Sequence, residues 1–208
     1  MLTLLAALAA YLVGSISFAV VVSRLLGLPD PRSYGSGNPG ATNVLRTGRK
    51  AAALATLIGD AAKGAAAVLL MRWLAPDLGL GEGAIAAVAV AAFAGHLYPV
   101  YFRFQGGKGV ATAFGLLLAL DVRLALAALV VFLIVAVTTR YVSLASILAA
   151  VAATALGPWL LGWGPLALGV ALMAALIVWR HRGNLQRLLA GQENKIGLRK
   201  PMPPTEQA

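Results

Sequence analysis

The segment LTLLAALAAYLVGSISFAVVVS at positions 2–23 decides the fold, because it contains no charged side chain. A helix needs about 20 apolar residues to cross the hydrocarbon core of a bilayer. A secretory signal peptide would instead begin with basic residues and have a shorter apolar core. Since the first basic residue is Arg24, the segment predicts an uncleaved membrane-spanning helix.

The composition of the whole chain also indicates a membrane protein. Of its 208 residues, 60% are hydrophobic and 12% are charged, whereas soluble domains are about half apolar and about a quarter charged. This composition argues against both a soluble globular domain and a disordered chain. The chain has no cysteine and two histidines, too few for thiolate or multi-histidine metal sites, so we expect no metal and no cofactor.

Six further apolar segments follow the first one. They cover residues 51–75, 83–102, 110–120, 124–139, 142–161 and 166–179. The segment 110–120 is the weakest candidate, since a helix of that length crosses little more than half of the hydrocarbon core. The alternative is one continuous helix from 110 to 139, which would leave six spans.

The distribution of basic residues favours seven spans. The formal net charge is +10, and 14 of the 17 Lys and Arg residues lie between alternate spans or in the C-terminal tail. With seven spans, all of these residues face one side of the membrane, which the positive-inside rule places in the cytoplasm. Merging two segments into one helix would move the basic tail to the outside, against that rule.

These observations predict an all-α integral membrane protein, a bundle of seven transmembrane helices with its N-terminus outside and its C-terminus in the cytoplasm. We expect a single membrane domain over residues 1–200 and a Pro-rich, disordered tail over residues 201–208. Because the basic residues are assigned to the membrane surface, we expect no nucleic-acid binding. No internal sequence repeat is visible, so an inverted-repeat transporter architecture has no support.

The first polar motif is YGSGNPGATN at positions 34–43, followed by Arg46. Its glycines match G-x-G-x-x-G, but a dinucleotide fingerprint requires a preceding strand, and here a transmembrane helix precedes it. Dense glycine still lets backbone N–H groups approach an anion closely. The alternative is a flexible loop between helices. The motif offers these candidate anion ligands: Ser36, Gly37, Asn38, Thr42, Asn43 and Arg46.

The second polar motif combines GHLYP at positions 95–99 with FQGGKG at positions 104–109. It does not satisfy the P-loop pattern, because Gly109 stands where Ser or Thr is required. A Gly-rich turn with a lysine at the start of a helix nevertheless suits a phosphate group. The alternative is a tight turn with a snorkelling lysine. The candidate ligands are Gly106, Gly107, Lys108 and Gly109, while His96 is either a packing residue or a site residue.

The third polar motif is HRGNLQRL at positions 181–188, followed by GQENK at positions 191–195. It places His181, Asn184 and Arg187 on one helix face, three residues apart. A basic helix lying on anionic lipid would explain the arginine but not the histidine and the asparagine. Two other polar features are weaker signals. Asp60 and Lys63 lie within the second span, where ionisable residues can mark a functional site. We favour the alternative of an ion pair satisfied within its own helix. Ser143, at a helix start, is by itself a capping residue.

The three motifs, in this order, resemble the signature motifs of the bacterial acyl-phosphate:glycerol-3-phosphate acyltransferase (PlsY) family, and the element Gly59-Asp60-x-x-Lys63-Gly64 also fits. The resemblance implies a seven-helix enzyme that transfers a fatty acyl group from acyl phosphate to the 1-hydroxyl of sn-glycerol 3-phosphate. The products would be lysophosphatidic acid and phosphate, in the first step of phospholipid synthesis. It also implies a location in the bacterial inner membrane, with the active site on the cytoplasmic side.

The resemblance also implies residue roles. The catalytic residues would be Ser36, Arg46, Lys108, His181 and Asn184. Phosphate binding would involve Gly37, Asn38, Thr42, Asn43, Gly106, Gly107, Gly109 and Ser143. Arg46 and Lys108 would neutralise charge, and either a substrate phosphate oxygen or His181 would be the base.

The expected partners are acyl phosphate, glycerol 3-phosphate and the lipid bilayer, and the oligomeric state stays open. The alternative function is transport of a phosphorylated metabolite. A transporter needs polar groups that accept its substrate on the far side of the membrane. That side offers mainly the carboxylates of Asp77, Glu82 and Asp121, which repel phosphate.

Overall fold

The computed structural model describes residues 1–196, which contain ten α-helices and no strand. Two 3-10 turns, Leu45–Thr47 and Val100–Phe102, accompany the helices. The predicted Pro-rich tail at 201–208 lies outside the described residues. The helices are α1 (Leu2–Gly14), α2 (Phe18–Leu25), α3 (Ala41–Val44), α4 (Lys50–Leu74), α5 (Glu82–Leu97), α6 (Val110–Leu120), α7 (Val122–Thr139), α8 (Val142–Leu161), α9 (Pro165–Arg180) and α10 (Arg182–Leu189).

Several of these helices are long and apolar enough to cross a membrane. Five segments qualify on their own: Leu2–Leu25, Lys50–Leu74, Glu82–Phe102, Val122–Thr139 and Val142–Leu161. A sixth qualifies if α9 and α10, which bend by 55° where they meet, count as one span. The short helix α6 is the remaining candidate. The all-helical, multi-span fold is therefore confirmed, whereas the number seven and the orientation of the termini stay predictions.

The region 110–139 is not one continuous helix. Asp121 separates α6 from α7 and caps α7 by accepting from the backbone N–H groups of Arg123 at 2.8 Å and Leu124 at 3.3 Å. The carbonyl oxygens of Ala119 and Leu120, at the end of α6, accept from the Arg72 guanidinium at 2.9 and 2.8 Å. These contacts satisfy the backbone groups that an interrupted helix leaves free.

The predicted first span is present as Leu2–Leu25, but it is not one continuous helix, because it is interrupted between α1 and α2 at residues 15–17. The groups freed by the break find partners in other helices. The carbonyl oxygen of Ile16 accepts from Lys63 Nζ at 2.6 Å. The N–H of Phe18 lies 3.4 Å from Asp60 Oδ1. Irregular backbone is tolerated at membrane depth when the protein itself satisfies it.

The helices approach one another closely through glycines. A Cβ atom on Gly14 would overlap the backbone of Ala92, and one on Gly95 would overlap the backbone of Tyr11, so α1 and α5 pack backbone against backbone. A Cβ atom on Gly115 would likewise overlap the backbone of Ala61 in α4. Small residues at such interfaces are the usual means by which membrane helices associate. This close packing brings the three motif-bearing loops together at one end of the bundle.

Candidate active site

The first motif forms a compact loop around the side chain of Asn43, which is 2% exposed. Its Nδ2 donates to the carbonyl oxygens of Pro31 at 2.7 Å and Tyr34 at 3.1 Å, and its Oδ1 accepts from the N–H of Ser36 at 3.1 Å. Gly35 has a φ of +61°, and a Cβ atom there would overlap Asn43 Oδ1. The amide of Asn43 is thus fully engaged in shaping the loop.

Arg46 lies beside this loop on the 3-10 turn Leu45–Thr47 and packs across Gly35. Its side chain is exposed, and it forms no ion pair with a carboxylate within residues 1–196. The side chains of Ser36 and Thr42 are also exposed, and Asn38 is half-buried. The loop therefore presents one free cation and several hydrogen-bonding groups to solvent.

The second motif forms a tight turn over residues 106–109, which we term the glycine turn, at the start of α6. The N–H of Gly107 donates to the carbonyl oxygen of His96 at 3.2 Å. The carbonyl oxygens of Gly106 and Gly107 accept from the Arg180 guanidinium at 2.8 and 3.1 Å. Gly109 is the N-cap residue of α6, with a φ of +84°. The N–H of Gly107 is thus engaged, whereas the N–H groups in the first turn of α6 have no partner within the helix.

Lys108 projects from the glycine turn towards the third motif, where its Nζ donates to Asn184 Oδ1 at 2.5 Å. Burial lowers the pKa of Lys108 to about 8. Glu193 acts in the opposite direction, while the nearby arginines, Arg187 foremost, lower the pKa further. The ammonium group thus stands among other positive charges, in an environment that favours an incoming anion.

Glu193 connects Asn184 and Arg187 of the third motif with Ser143. It was not among the site residues predicted from the sequence. Glu193 Oε1 accepts from Asn184 Nδ2 at 2.6 Å and from Ser143 Oγ at 2.8 Å. Its Oε2 accepts from Arg187 Nε at 2.8 Å. Burial acts to raise the pKa of Glu193, but these hydrogen bonds outweigh burial and lower it. The sequence signal was available, since Glu193 is the only carboxylate within the three cationic motifs.

His181 lies at the junction of α9 and α10 and is 3% exposed. Its Nδ1 lies 2.8 Å from the carbonyl oxygen of Ile177. Because a carbonyl only accepts, Nδ1 carries the proton and Nε2 keeps a free lone pair. Burial lowers the pKa of His181 to about 4. At neutral pH the imidazole is therefore uncharged, a hydrogen-bond acceptor at Nε2 and a weak base.

The predicted ion pair of Asp60 and Lys63 is present within α4, but its contacts extend beyond its own helix. Lys63 Nζ donates to Asp60 Oδ1 at 2.7 Å and also contacts His96 Nδ1 at 2.9 Å. His96 could not be connected with this pair from the sequence, because no pattern in α4 or α5 indicates that the three residues meet. We term Asp60, Lys63 and His96 the buried triad.

The structure brings the predicted site residues to one end of the bundle. The contact between Lys108 and Asn184 joins the second and third motifs. The first and second motifs also touch, since a Cβ atom on Gly107 would lie 3.0 Å from the carbonyl oxygen of Pro39. Ser143 joins through Glu193. The result is a polar, mainly cationic surface built from all three motifs.

An apolar groove of about 400 Å³ lies between α8 and α9. Its last lining residue on α9, Val178, stands three residues before His181. Ala171, on the same helix, lines it farther from His181, and Val151 and Ala155 line it from α8. Because Val151, Ala155 and Ala175 are exposed, the groove lies on the outer face of these two helices, with its α9 end close in sequence to His181.

Comparisons with known proteins identify relatives over nearly the whole chain. The family model described as glycerol-3-phosphate acyltransferase matches residues 4–191. A glycerol-3-phosphate acyltransferase of Ralstonia pickettii (strain 12J) is 60% identical over 198 residues, covering 95% of this chain and 96% of the relative. One of Burkholderia lata (strain ATCC 17760 / DSM 23089 / LMG 22485 / NCIMB 9086 / R18194 / 383) is 61% identical over 199 residues, covering 95% and 92%.

Two solved structures are also similar to the chain. Both are crystal structures of PlsY (YgiH), an integral membrane glycerol 3-phosphate acyltransferase. The glycerol 3-phosphate form has a TM-score of 0.86 and 38% identity, and the lysophosphatidic acid form has 0.85 and 37%. Each match covers 95% of this chain and 96% of the other.

Proposed function

The chain belongs to the glycerol-3-phosphate acyltransferase family, and we propose that it transfers a fatty acyl group from acyl phosphate to the 1-hydroxyl of sn-glycerol 3-phosphate. The products are lysophosphatidic acid and inorganic phosphate. The observation that carries this proposal is the meeting of the three motifs at one end of the bundle, where Lys108 contacts Asn184 and Gly107 lies against Pro39. The relatives bear acyltransferase names, so the transporter alternative is not retained.

Both substrates carry a phosphate group, and the site offers cations to receive them. Lys108 at the glycine turn and Arg46 beside the first loop neutralise the two phosphates. The free N–H groups at the start of α6 add donors and the positive end of the helix dipole. Ser36, Asn38 and Thr42 supply further hydrogen bonds from the first loop. Charge neutralisation of this kind also stabilises the phosphate as it leaves.

The chemistry forms one bond and breaks another. The oxygen of the 1-hydroxyl attacks the acyl carbon, the bond from that carbon to the phosphate oxygen breaks, and the proton of the hydroxyl passes to a phosphate oxygen. Neutral His181, with a pKa of about 4, accepts a hydrogen bond from the hydroxyl at Nε2 and orients it. Because the donor is an activated anhydride, positioning contributes more than deprotonation.

Other predicted ligands hold the site together. Asn43 shapes the first loop, and Gly107 fits the space between His96 and Arg180. Glu193 aligns Ser143 and Asn184 through hydrogen bonds to one of its oxygens. Asn43, Gly107 and Glu193 are positioning residues, because their polar groups are engaged by the protein itself.

The acyl chain of the donor occupies the groove between α8 and α9. The groove has mainly apolar walls on the outer face of the two helices, and its α9 end, Val178, stands three residues before His181. An extended chain in this groove lies at membrane depth while its phosphate stays at the polar surface. We infer that the bundle has seven spans in a bacterial inner membrane and that this polar surface faces the cytoplasm, and the distribution of basic residues among the loops supports this orientation.

The test is an acyl transfer assay with purified protein. Radiolabelled glycerol 3-phosphate is supplied with palmitoyl phosphate or with palmitoyl coenzyme A. We expect labelled lysophosphatidic acid when palmitoyl phosphate is the donor and none when palmitoyl coenzyme A is the donor. Product formation only with the coenzyme A thioester would refute the proposed donor, and no product with either would refute the proposed reaction.

A further inference from the structure

Three ionisable side chains lie together directly behind the glycine turn. Asp60, Lys63 and His96 are 2%, 5% and 6% exposed. They form no part of the polar surface assigned to the substrates. Ionisable groups within a membrane span are costly, and their presence indicates a function by default.

The contacts of Lys63 determine the tautomer of His96. The ammonium group has three N–H donors and no acceptor. These donors meet Asp60 Oδ1 at 2.7 Å, the carbonyl oxygen of Ile16 at 2.6 Å and His96 Nδ1 at 2.9 Å. His96 Nδ1 therefore accepts, and the neutral imidazole carries its proton on Nε2. Asp60 is the more distant neighbour of this nitrogen, at 3.5 Å.

The protonated edge of the His96 ring lies against the glycine turn. A Cβ atom on Gly107 would overlap His96 Nε2 and lie 3.0 Å from Cε1. A Cβ atom on Gly106 would overlap the carbonyl oxygen of His96, so the ring and its backbone together support the turn from inside. Arg180 holds the same two glycines by their carbonyl oxygens. The turn is thus fixed between an imidazole and a guanidinium.

We propose that the buried triad is a positioning unit for the phosphate site, in which Lys63 and Asp60 hold the His96 ring and the ring fixes the glycine turn that presents Lys108. The break in the first span belongs to this unit, because the freed carbonyl of Ile16 is the third acceptor for Lys63. The inference rests on the proposed phosphate-binding role of Lys108. It adds three residues of the transmembrane region to the determinants of substrate affinity.

Two substitutions of His96 separate positioning from packing. His96→Asn keeps an acceptor near the position of Nδ1 for Lys63 but leaves the space behind Gly107 empty. His96→Gln keeps a polar group near the position of Nε2 but lacks the acceptor for Lys63. We expect His96→Asn to melt near the wild-type temperature in detergent while its KM for glycerol 3-phosphate rises about 10- to 100-fold, the range for one hydrogen bond to a charged group. We expect His96→Gln to show a smaller rise in KM together with a lower melting temperature, because its amide still lies behind Gly107 but is no longer held by Lys63.

Several outcomes would overturn the proposal. A wild-type KM in His96→Asn would do so, and so would losses of activity that merely follow the melting temperatures of the two variants. Absence of both variants from the membrane would assign the triad to folding alone. Lys108→Ala is measured in parallel: if it keeps full activity, the phosphate site itself is wrong. An inactive Lys108→Ala beside a normal His96→Asn would remove only the present inference.

Discussion

The ionisation of Lys108 should set the alkaline limit of activity. Burial lowers the pKa of its ammonium to about 8, and only the ammonium form can neutralise a phosphate. Lys108 is fully protonated well below this pKa and loses its charge as the pH rises through it. The lowered pKa brings this loss of charge into an accessible pH range. Since kcat/KM reports ionisations of the free enzyme, we expect this constant to fall about tenfold for each pH unit well above the pKa.

Three variants give the size and direction of the effect. Lys108→Ala leaves Asn184 Oδ1 without its donor and removes a charge, which costs about 1.5–3 kcal/mol and lowers kcat/KM roughly 10- to 150-fold. Lys108→Arg stays charged at every pH tested, so its kcat/KM should show no alkaline decline. Its kcat/KM should nevertheless be lower than that of the wild type, because a planar guanidinium fits the glycine turn poorly. Glu193→Gln removes a carboxylate that raises the pKa of Lys108, so its decline should begin at lower pH.

The measurement is the initial rate of lysophosphatidic acid formation across weakly acidic to alkaline pH, at low glycerol 3-phosphate, for all four proteins. Spontaneous hydrolysis of acyl phosphate, which yields fatty acid and phosphate, is measured without enzyme at each pH so that the rates are corrected for loss of the donor. Melting temperatures in detergent at each pH show whether the proteins stay folded. If Lys108→Arg declines with the same midpoint as the wild type, another group sets the alkaline limit and the reasoning is refuted.

Three further predictions concern the base, the acyl groove and the topology. His181→Gln should keep measurable turnover because its amide oxygen can accept from the hydroxyl, whereas equal loss of roughly 100- to 10,000-fold in His181→Gln and His181→Ala, with binding preserved, would make His181 the base. Ala171→Phe should shift relative kcat/KM from long to shorter acyl phosphates, and an unchanged chain-length profile would exclude the groove between α8 and α9. Cysteines at Gly48 and Gln192 should react with a membrane-impermeant reagent only from the cytoplasm, and one at Gly81 only from outside; labelling of the first two from opposite faces would contradict seven spans.

The helical membrane fold was predictable because long apolar runs have few other solutions. The break in the first span was not predictable from positions 2–23, which are apolar on both sides of it. Its cause lies in another helix, where Lys63 and Asp60 supply a donor and an acceptor for the backbone of Ile16 and Phe18. A local pattern cannot show that a distant side chain will satisfy an interrupted backbone.

The candidate site was predictable as three separate motifs, because glycine, amide and basic residues suit anions wherever they cluster. Their spatial relationships were not. Asn43 is a residue type that commonly binds anions, yet its amide is buried and forms hydrogen bonds within its own loop. The contact of Lys108 with Asn184 joins residues that are 76 positions apart. Such contacts depend on how glycine-lined helices pack, which spacing within one motif does not encode.

Glu193 shows why the charges of this site have to be considered together. A cationic surface built from Lys108, Arg187, Arg180 and Arg46 repels itself, and each guanidinium acts to lower the pKa of Lys108. A single carboxylate among them offsets part of this repulsion and raises that pKa. Its oxygens also accept from Ser143 and Asn184, so the charge that keeps Lys108 protonated is the same group that aligns its neighbours. A glutamine at position 193 can retain some of these hydrogen bonds, but it leaves the cluster of cations without its internal counter-charge. Glu193→Gln should therefore lower the pKa of Lys108 while disturbing the positions of Ser143 and Asn184 less.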